Sequence, residues 1–231
     1  MNYSLDLQNT KVIDNLLSAD EFATVNNWMN DAPYVFKNTT GTWNKVWSID
    51  DGEVLHSQPI LLNAKLELHN FFPELIPLMP FIEKIPELLK NVNLFDLEKV
   101  KSVIITPYVY PPSTSLSWHS DSNYAGAFTF YTHKYWNANW GGEFLTVEGD
   151  EYIDRAKKNN IKWRVFDNED LENLIMEKGT GHFVYPKPNR IVFNKSGEYG
   201  ILHKVNKSTS RAKERLTLQG FLRYNTINEG I

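Results

Sequence analysis

The pattern of hydrophobic and polar residues predicts helices in the first part of the chain and strands in the second. Four apolar residues fall on one helical face: Phe22, Val25, Trp28 and Met29. Ser18, with Glu21 three residues later, forms a capping-box pattern, which predicts that this helix begins after Ser18. A short strand is expected just before it, over residues 11–17.

Two further helices are predicted within the first hundred residues. The apolar positions of residues 58–72 favour one helix, and those of residues 80–92 favour another. Pro86 lies inside the second segment, and a proline in a helix interior removes a backbone hydrogen bond and clashes with the preceding turn. We therefore expect the helix to kink or restart there.

From residue 103 onward, short β-branched and aromatic runs predict strands. These predicted strands are residues 103–110, 127–131, 140–147, 182–186, 189–194, 201–205 and 215–223. Pro107 favours an edge position or a bulge for the first of them. Residues 150–181 interrupt the strands and predict two helices, at 150–158 and 169–178. The order predicts an α+β chain with a mainly β core, built as a jelly roll or barrel that carries helices outside it.

Length and composition limit the classes of protein. The 231 residues suit one domain, in which residues 1–100 would be a helix-rich support and residues 101–231 a β core. Apolar residues make up 42% and charged residues 23%, as in ordinary globular proteins. Because there is no cysteine, disulfides, zinc-thiolate sites and thiol nucleophiles are excluded.

Charge and hydropathy bear on partners and location. The net charge of -4 provides no basic surface for nucleic acid, so no nucleic-acid partner is expected. No apolar run approaches the roughly 20 residues of a membrane span, and the N-terminus lacks the pattern of a secretory signal. A cytoplasmic protein without membrane contact is the expectation.

His119 and Asp121 are the first candidates for chemistry. They are two residues apart, so in an extended chain both side chains point to the same face. His203 is the best candidate for a third ligand, and two histidines with one carboxylate are the ligand set of non-haem Fe(II) oxygenases. The same set can hold zinc in a hydrolase or belong to a non-catalytic, cupin-like binding protein, and a His-x-Asp pair on a surface needs no metal.

Arg215 and Thr217 are a second pair at the same spacing, at the start of the last predicted strand. A guanidinium binds a carboxylate through two parallel charge-assisted hydrogen bonds. A small dicarboxylic acid could therefore chelate a metal at one end and pair with Arg215 at the other. Such an anchor favours the oxygenase over the hydrolase and the binding protein, because neither of those needs one.

Residues 103–222 resemble the prolyl 4-hydroxylase-like branch of the Fe(II)/2-oxoglutarate-dependent dioxygenases, whose motifs appear here in the family's order. The matching pieces are Tyr110-Pro-Pro, His119-x-Asp121, Tyr131-Thr-His-Lys-Tyr-Trp136, Gly141-Gly-Glu-Phe144, Asn189-Arg-Ile-Val-Phe193, His203-x-Val205 and Arg215-x-Thr217. The resemblance implies a double-stranded β-helix fold. It also implies hydroxylation of a C–H bond with release of succinate and CO2.

The resemblance also implies roles for individual residues. His119, Asp121 and His203 would bind Fe(II) and form the catalytic centre. The residues implied for 2-oxoglutarate are Arg215, which would pair with the distal carboxylate, Thr217, Tyr110 and Tyr131. O2 would be the second co-substrate, and ascorbate a possible reductant. The organic substrate stays open between a prolyl residue in a peptide, a free amino acid and another small metabolite.

The chain departs from the family pattern in several places. The interval from His203 to Arg215 is longer than usual, which makes Arg211 a rival anchor, although Arg215 is favoured because it opens an apolar strand. His133 stands where the family has asparagine and is expected at a strand end or in support of the site residues, rather than in the site itself. Arg190 is expected to form a structural ion pair or to anchor a loop. Residues 150–181 lengthen the interval before His203 and bear on the choice of substrate.

Overall fold

The computed structural model describes most of the chain. It covers residues 2–36, 51–121, 124–147, 154, 158, 169–196, 201–210 and 213–224. Within these ranges, no helix is both long enough and apolar enough to cross a membrane.

Short strands dominate the described part of the chain. The strands are β1 (Leu5–Asp6), β2 (Thr10–Asp14), β3 (Val35–Phe36), β4 (Leu55–His56), β5 (Ile60–Leu62), β6 (Ser102–Tyr110), β7 (Leu116–His119), β8 (Tyr124–Tyr131), β9 (Phe144–Val147), β10 (His182–Val184), β11 (Arg190–Lys195), β12 (Leu202–Val205) and β13 (Arg215–Arg223). The α-helices are α1 (Ala19–Asp31), α2 (Met79–Ile82), α3 (Ile85–Val92) and α4 (Glu169–Lys178). Short 3-10 helices span Pro73–Leu78, Leu97–Lys99 and Ala138–Trp140.

The strands form two antiparallel sheets. The larger sheet has the order β1-β2-β11-β8-β13-β6-β4-β3, with β5 also paired to β6. The smaller sheet has the order β10-β9-β12-β7. The non-sequential neighbours in both sheets are those of a jelly roll, and the prediction of a mainly β, jelly-roll core is confirmed. Strands from the first 62 residues join the larger sheet at both of its ends.

The two faces of the larger sheet have different partners, because successive side chains of a strand point to opposite sides. On β13, Leu216, Leu218 and Leu222 lie in a cluster that also contains buried residues of α1, α2 and α3. Arg215 and Thr217 alternate with these leucines and point to the opposite face. On that face, a second apolar cluster joins the larger sheet to the smaller one through residues such as Tyr110, Tyr131, Phe144 and Val205.

Helix α1 begins as its sequence predicts. The Ser18 hydroxyl accepts a hydrogen bond from the Glu21 amide, and the Glu21 carboxylate accepts one from the Ser18 amide at 2.8 Å. The predicted capping box is confirmed. The helix ends at Asp31. Ala32 has an extended backbone, and Pro33 follows outside the helix.

The helix predicted for residues 58–72 is wrong. The segment begins with β5, which pairs with β6, and then turns. The Asn63 side chain stabilises the turn by accepting hydrogen bonds from the amides of Lys65 and Glu67. Asparagine favours such turns because its side chain satisfies nearby backbone donors. Pairing with a long neighbouring strand outweighs the helical spacing of the apolar residues.

The two prolines have different outcomes. Residues 80–92 form two helices, α2 and α3, and Pro86 lies in the first turn of α3, so the predicted restart is confirmed. The expectation of an edge or a bulge at Pro107 is wrong, because β6 lies inside the sheet, with β13 on one side and β4 and β5 on the other, and its register with β13 is continuous. Pro107 lies between the parts of β6 that pair with β4 and with β5. Its carbonyl accepts a hydrogen bond from the Ser57 amide.

The segment predicted to interrupt the strands is described only in part. The helix predicted over residues 169–178 is present as α4. The helix predicted over residues 150–158 lies outside the described residues, apart from residues 154 and 158.

Gly220 on β13 provides a test of packing on the helix-bearing face. It lies opposite Phe128 of β8, and a Cβ atom at Gly220 would be 2.0 Å from Cζ of that ring. The Phe128 ring is fully buried and contacts the rings of Phe81 and Phe193, so it has little room to move. We expect Gly220→Ala to lower the free energy of unfolding, measured in urea, by about 1–3 kcal/mol through overpacking.

The control for this prediction is a double-mutant cycle. In a Phe128→Leu background the shorter side chain leaves space, so Gly220→Ala should cost less there. An equal cost in both backgrounds would show that contact with the ring is not the cause.

Candidate functional site

The two predicted ligand histidines lie side by side on neighbouring strands of the smaller sheet. Strands β7 and β12 pair antiparallel, and His119 and His203 are direct partners in that register. Their ring centroids are 4.2 Å apart, and both side chains are buried. Strand pairing thus brings together two residues that are far apart in sequence.

Asp121 completes a group of three. It follows β7 by two residues, and its backbone carbonyl accepts a hydrogen bond from the Tyr124 amide. The two carboxylate oxygens face different rings, Oδ1 at 3.8 Å from His119 Nε2 and Oδ2 at 3.3 Å from His203 Nε2. One potential ligand atom from each residue lies within 4.8 Å of the other two.

Hydrogen bonds orient both imidazoles. Nδ1 of His119 lies 2.7 Å from the Ser117 carbonyl, and Nδ1 of His203 lies 2.9 Å from the Ile201 carbonyl. Because a carbonyl can only accept, each Nδ1 carries the proton and donates it. Each Nε2 therefore faces Asp121 and is the ring nitrogen left to bind a metal, which is the arrangement of histidines that bind metals.

Burial and mutual charge set the ionisation of the group. Burial and, to a lesser extent, the charge of the nearby His203 together lower the pKa of His119 to about 4, so His119 is neutral near pH 7. Burial opposes the charge of Asp121, but its interactions with His203 outweigh that effect and lower the carboxyl pKa. One carboxylate between two imidazoles is a set of donors ready for a divalent cation.

The residues present fit a transition-metal ion. Imidazole nitrogen and carboxylate oxygen are donors for Fe(II) as well as zinc, and two histidines with one carboxylate leave further positions open for other ligands. Among the residues that the structure describes, no other group of three histidine, aspartate or glutamate side chains has this proximity.

Arg215 is buried, with 2% of its surface exposed. Its guanidinium lies 4.2 Å from the centroid of the Tyr110 ring, and Nη1 donates a hydrogen bond to the Gly142 carbonyl at 2.9 Å. Nε is buried and has no hydrogen-bond partner in the described structure. Burial lowers the pKa of Arg215 from its ordinary value, which reflects the cost of keeping this charge away from water.

The other residues predicted to bind an anion surround Arg215. Thr217 follows it on the same face of β13, and its buried hydroxyl has no partner in the part of the chain that is described. Tyr131 is the cross-strand partner of Thr217, and Tyr110 is the cross-strand partner of Arg215. The Tyr110 hydroxyl accepts a hydrogen bond from Gln219 Nε2 at 2.7 Å, which fixes its position. Burial raises the pKa of Tyr110 to about 12, so it stays protonated.

The glycine pair lies close beside Arg215. Gly141 and Gly142 both have positive φ angles, a backbone conformation that favours glycine. A Cβ atom on Gly142 would lie 3.3 Å from the Trp136 ring and 3.6 Å from Cδ of Arg215. The backbone at Gly142 thus approaches the guanidinium closely enough for its carbonyl to accept the hydrogen bond from Nη1.

The remaining predicted residues have structural contacts. Arg190 forms the expected ion pair, donating from Nε and Nη2 to the carboxylate of Asp14 on the neighbouring strand. His133 is buried between the rings of Tyr131 and Trp136, and its Nε2 lies 2.6 Å from the Pro186 carbonyl. Arg211, the rival anchor, lies outside the described residues.

Two residues of this region were not anticipated from the sequence. Gln219 bonds to the Tyr110 hydroxyl, and the buried Asp51 bonds to the strand that carries His119. Gln219 lies on the same strand face as Arg215 and Thr217, so the two-residue spacing could have identified it. Nothing in the sequence around Asp51 indicates that the chain brings it to β7.

Comparisons with known proteins bear on the fold. No protein-family model matches the sequence, and no curated protein matches it by sequence. Among solved structures, the chain is similar to a Pseudomonas putida prolyl-4-hydroxylase, with 14% identity, coverage of 93% of this chain and 92% of that chain, and a TM-score of 0.58. It is also similar to an oxidoreductase of the 2OG-Fe(II) oxygenase family from Burkholderia pseudomallei, with 13% identity, coverage of 94% and 86%, and a TM-score of 0.53.

A third similar structure is a prolyl hydroxylase from Trichoplax adhaerens, solved in complex with a peptide fragment of the hypoxia inducible factor oxygen degradation domain. The identity is 11%, the coverage is 94% of this chain and 84% of that chain, and the TM-score is 0.59. At these identities the likeness establishes the fold. The resemblance to prolyl 4-hydroxylase-like dioxygenases that the motifs indicated is confirmed at that level.

The surroundings of His133 generate a prediction. His133→Ala would leave the buried Pro186 carbonyl without its donor, and a buried unsatisfied polar group costs about 1–3 kcal/mol. We expect the free energy of unfolding in urea to fall by that amount and binding of Co(II), measured by titration, to stay unchanged. His182→Ala is the matched control, because that histidine is exposed and should change neither quantity. Loss of Co(II) binding in His133→Ala would contradict the structural role.

Proposed function

We propose that the chain is an Fe(II)- and 2-oxoglutarate-dependent dioxygenase. It hydroxylates a C–H bond of a prolyl or other peptide residue, an amino acid or another small substrate, and releases succinate and CO2. The observation that carries this proposal is the buried Arg215, whose Nε has no hydrogen-bond partner among the described residues. Arg215 lies on the face of the larger sheet that packs against the smaller sheet, which carries His119 and His203. The charges of both Arg215 and Asp121 act on the Tyr110 hydroxyl. This supports a site in which the proposed anchor and the three proposed metal ligands lie in the same region of the interior.

In this proposal His119, Asp121 and His203 hold Fe(II). When bound, the iron supplies activation of O2 and oxidation of the substrate C–H bond, with ascorbate as a possible reductant. The protein contributes a fixed set of donors. The Ser117 and Ile201 carbonyls hold the two imidazoles in the tautomer that leaves Nε2 available, and burial keeps His119 neutral.

Arg215 is the proposed anchor for the distal carboxylate of 2-oxoglutarate. Its Nη1 is committed to the Gly142 carbonyl, whereas Nε remains available to donate to an anion. The Thr217 hydroxyl provides a second donor on the same face, and Tyr110 and Tyr131 flank the pair. A carboxylate bound here would compensate a buried charge and satisfy two buried polar atoms, so the site favours a dicarboxylic acid over a neutral ligand.

The substrate is proposed as a class. The Trichoplax adhaerens neighbour was solved with a peptide fragment, which supports a peptide as one option beside an amino acid or other small molecule. We further propose that residues 1–231 work as one cytoplasmic domain, with N-terminal helices outside the β core and residues 150–181 shaping substrate choice. A screen of pooled metabolites and peptides for addition of one oxygen atom that depends on 2-oxoglutarate would identify the substrate.

A zinc-dependent hydrolase is the alternative that the same three residues support, with water as the fourth ligand. A non-catalytic, cupin-like binding protein is another. Neither requires a buried carboxylate anchor, so Arg215 favours the dioxygenase. The proposal requires succinate to form from 2-oxoglutarate with Fe(II) and not with Zn(II). Absence of succinate with Fe(II), together with hydrolysis that depends on Zn(II), would support the alternative instead.

One prediction of this proposal concerns the metal ligands. We expect His119→Ala, Asp121→Ala and His203→Ala each to abolish succinate formation and to weaken metal binding, because each removes one of three donors. The fold should be largely retained in circular dichroism and urea unfolding, since these side chains line a site. His69→Ala is the control, because His69 is exposed and outside the group. Full activity of Asp121→Ala would remove the assignment of the three ligands.

Another prediction of this proposal concerns the co-substrate anchor. Removing one partner of a buried charge pair typically costs about 2–5 kcal/mol. Arg215→Ala should therefore raise the concentration of 2-oxoglutarate needed for half-maximal turnover by roughly thirtyfold or more, at about 1.4 kcal/mol per factor of ten. Metal binding should persist, because Arg215 is not a ligand.

Arg211→Ala is the comparison for the anchor. We expect it to change the 2-oxoglutarate requirement little. A large defect in Arg211→Ala with a normal Arg215→Ala would show that Arg211 is the anchor.

A further inference from the structure

Among the described strands, the strand that carries His119 lies at the edge of its sheet. In the described structure β12 is flanked by β9 and β7, whereas β7 pairs with β12 alone. An edge strand presents backbone donors and acceptors that no neighbouring strand satisfies. The two histidines of the site are therefore supported unequally, since His203 lies on an interior strand and His119 on an edge strand.

Asp51 occupies the open side of β7. Its backbone carbonyl accepts a hydrogen bond from the Ser115 amide at 2.8 Å, and its carboxylate Oδ2 accepts one from the Ser117 amide at 3.1 Å. These two amides are two residues apart and so point to the same side of the chain. Asp51 thus replaces a neighbouring strand at two successive outward donors.

The carboxylate of Asp51 makes two additional contacts. Oδ1 accepts hydrogen bonds from the hydroxyls of Ser115 and Ser117, both at 2.9 Å. Only 2% of the Asp51 surface is exposed. Hydrogen bonds to a buried carboxylate are charge-assisted and stronger than those between neutral groups, so they hold this segment firmly.

Ser117 connects Asp51 to the site. It donates to Asp51 through both its amide and its hydroxyl, and its carbonyl accepts the Nδ1 hydrogen of His119 at 2.7 Å. The position of that carbonyl determines where the His119 ring points. A shift of Ser117 would therefore move Nε2 of His119 relative to Asp121 and His203.

We propose that Asp51 is a positioning residue for the metal centre, which holds the edge strand so that His119 is oriented for ligation. The inference rests on the proposed metal-binding function. Asp51 acts on His119 through Ser117 and does not touch the metal. His203 needs no such residue, because β9 and β7 hold its strand from both sides.

Metal binding is the measurement that tests the proposal. Co(II), titrated into the full chain in place of Fe(II), gives the affinity. Loss of a residue that orients a ligand typically weakens metal binding by about 10–100-fold, and we expect Asp51→Ala to weaken Co(II) binding by roughly tenfold, since its effect is transmitted through one residue. Asp51→Asn should restore part of the affinity, because an amide keeps one acceptor and serine hydroxyls can rotate to accept from its NH2 group. It also provides a second test should Asp51→Ala fold poorly.

Proton NMR of the Co(II)-loaded protein separates positioning from general stability. The paramagnetic ion shifts the Nδ1 protons of ligating histidines away from other signals, so His119 and His203 should each give one exchangeable resonance. In the Asp51 variants we expect the His119 resonance to shift and to exchange faster with solvent. The His203 resonance should stay unchanged.

Asp14→Ala is the matched control. It removes another carboxylate, which joins β2 to β11 of the larger sheet through its ion pair with Arg190, and no contact in the described structure connects it to β7. It should lower the free energy of unfolding without changing Co(II) affinity or either resonance.

The outcomes distinguish the two proposals. If the unaltered chain does not bind Co(II), the proposed function fails. If it binds Co(II) and the Asp51 variants bind equally well with unchanged resonances, the positioning role is overturned. Equal changes of both histidine resonances would also overturn it, since they would indicate a general loosening of the site.

Discussion

The interior of this protein is arranged around a buried positive charge. A guanidinium away from water loses hydration that only charge or hydrogen bonding can replace. At Arg215 the replacement is partial, because the Tyr110 ring and the Gly142 carbonyl contact the group while Nε stays without a partner in the described structure. A binding site can retain such a deficit because an anionic ligand compensates it. The same deficit in a purely structural core would only lower stability.

Because side chains alternate along a strand, the residues that stabilise the fold and the candidate functional residues lie on opposite faces of the larger sheet. On β13, leucines pack against the helices on one face, while Arg215, Thr217 and Gln219 line the opposite face. The apolar face needs only volume and hydrophobicity, whereas the inner face needs particular polar groups. The candidate functional groups can therefore change with limited effect on folding, and the helix side can accommodate different apolar residues without altering the site.

The sequence predicted local features better than long-range pairing. The capping box at Ser18 and the two-residue spacing at His119 and Arg215 depend on nearby residues, and the structure contains the corresponding helix and strands. Residues 58–72 were predicted wrongly because β5 forms by pairing with β6, a contact that apolar periodicity does not reveal. Asp51 was missed for the same reason. Its contacts to Ser115 and Ser117 span more than sixty residues, and no motif connects them.

The difference between the two histidines shows how the site depends on the sheet. Both donate Nδ1 to a carbonyl two residues earlier, so each ring is oriented by the backbone of its own strand. The orientation of each ring therefore depends on how rigidly the backbone of its strand is held. For His203 strands on both sides hold that backbone in place. For His119 the Asp51 carboxylate binds the side of β7 on which the described residues place no strand. A metal site requires both histidine rings to be held in position. A buried charged residue therefore contributes most at β7, the strand that has fewer described neighbours than β12.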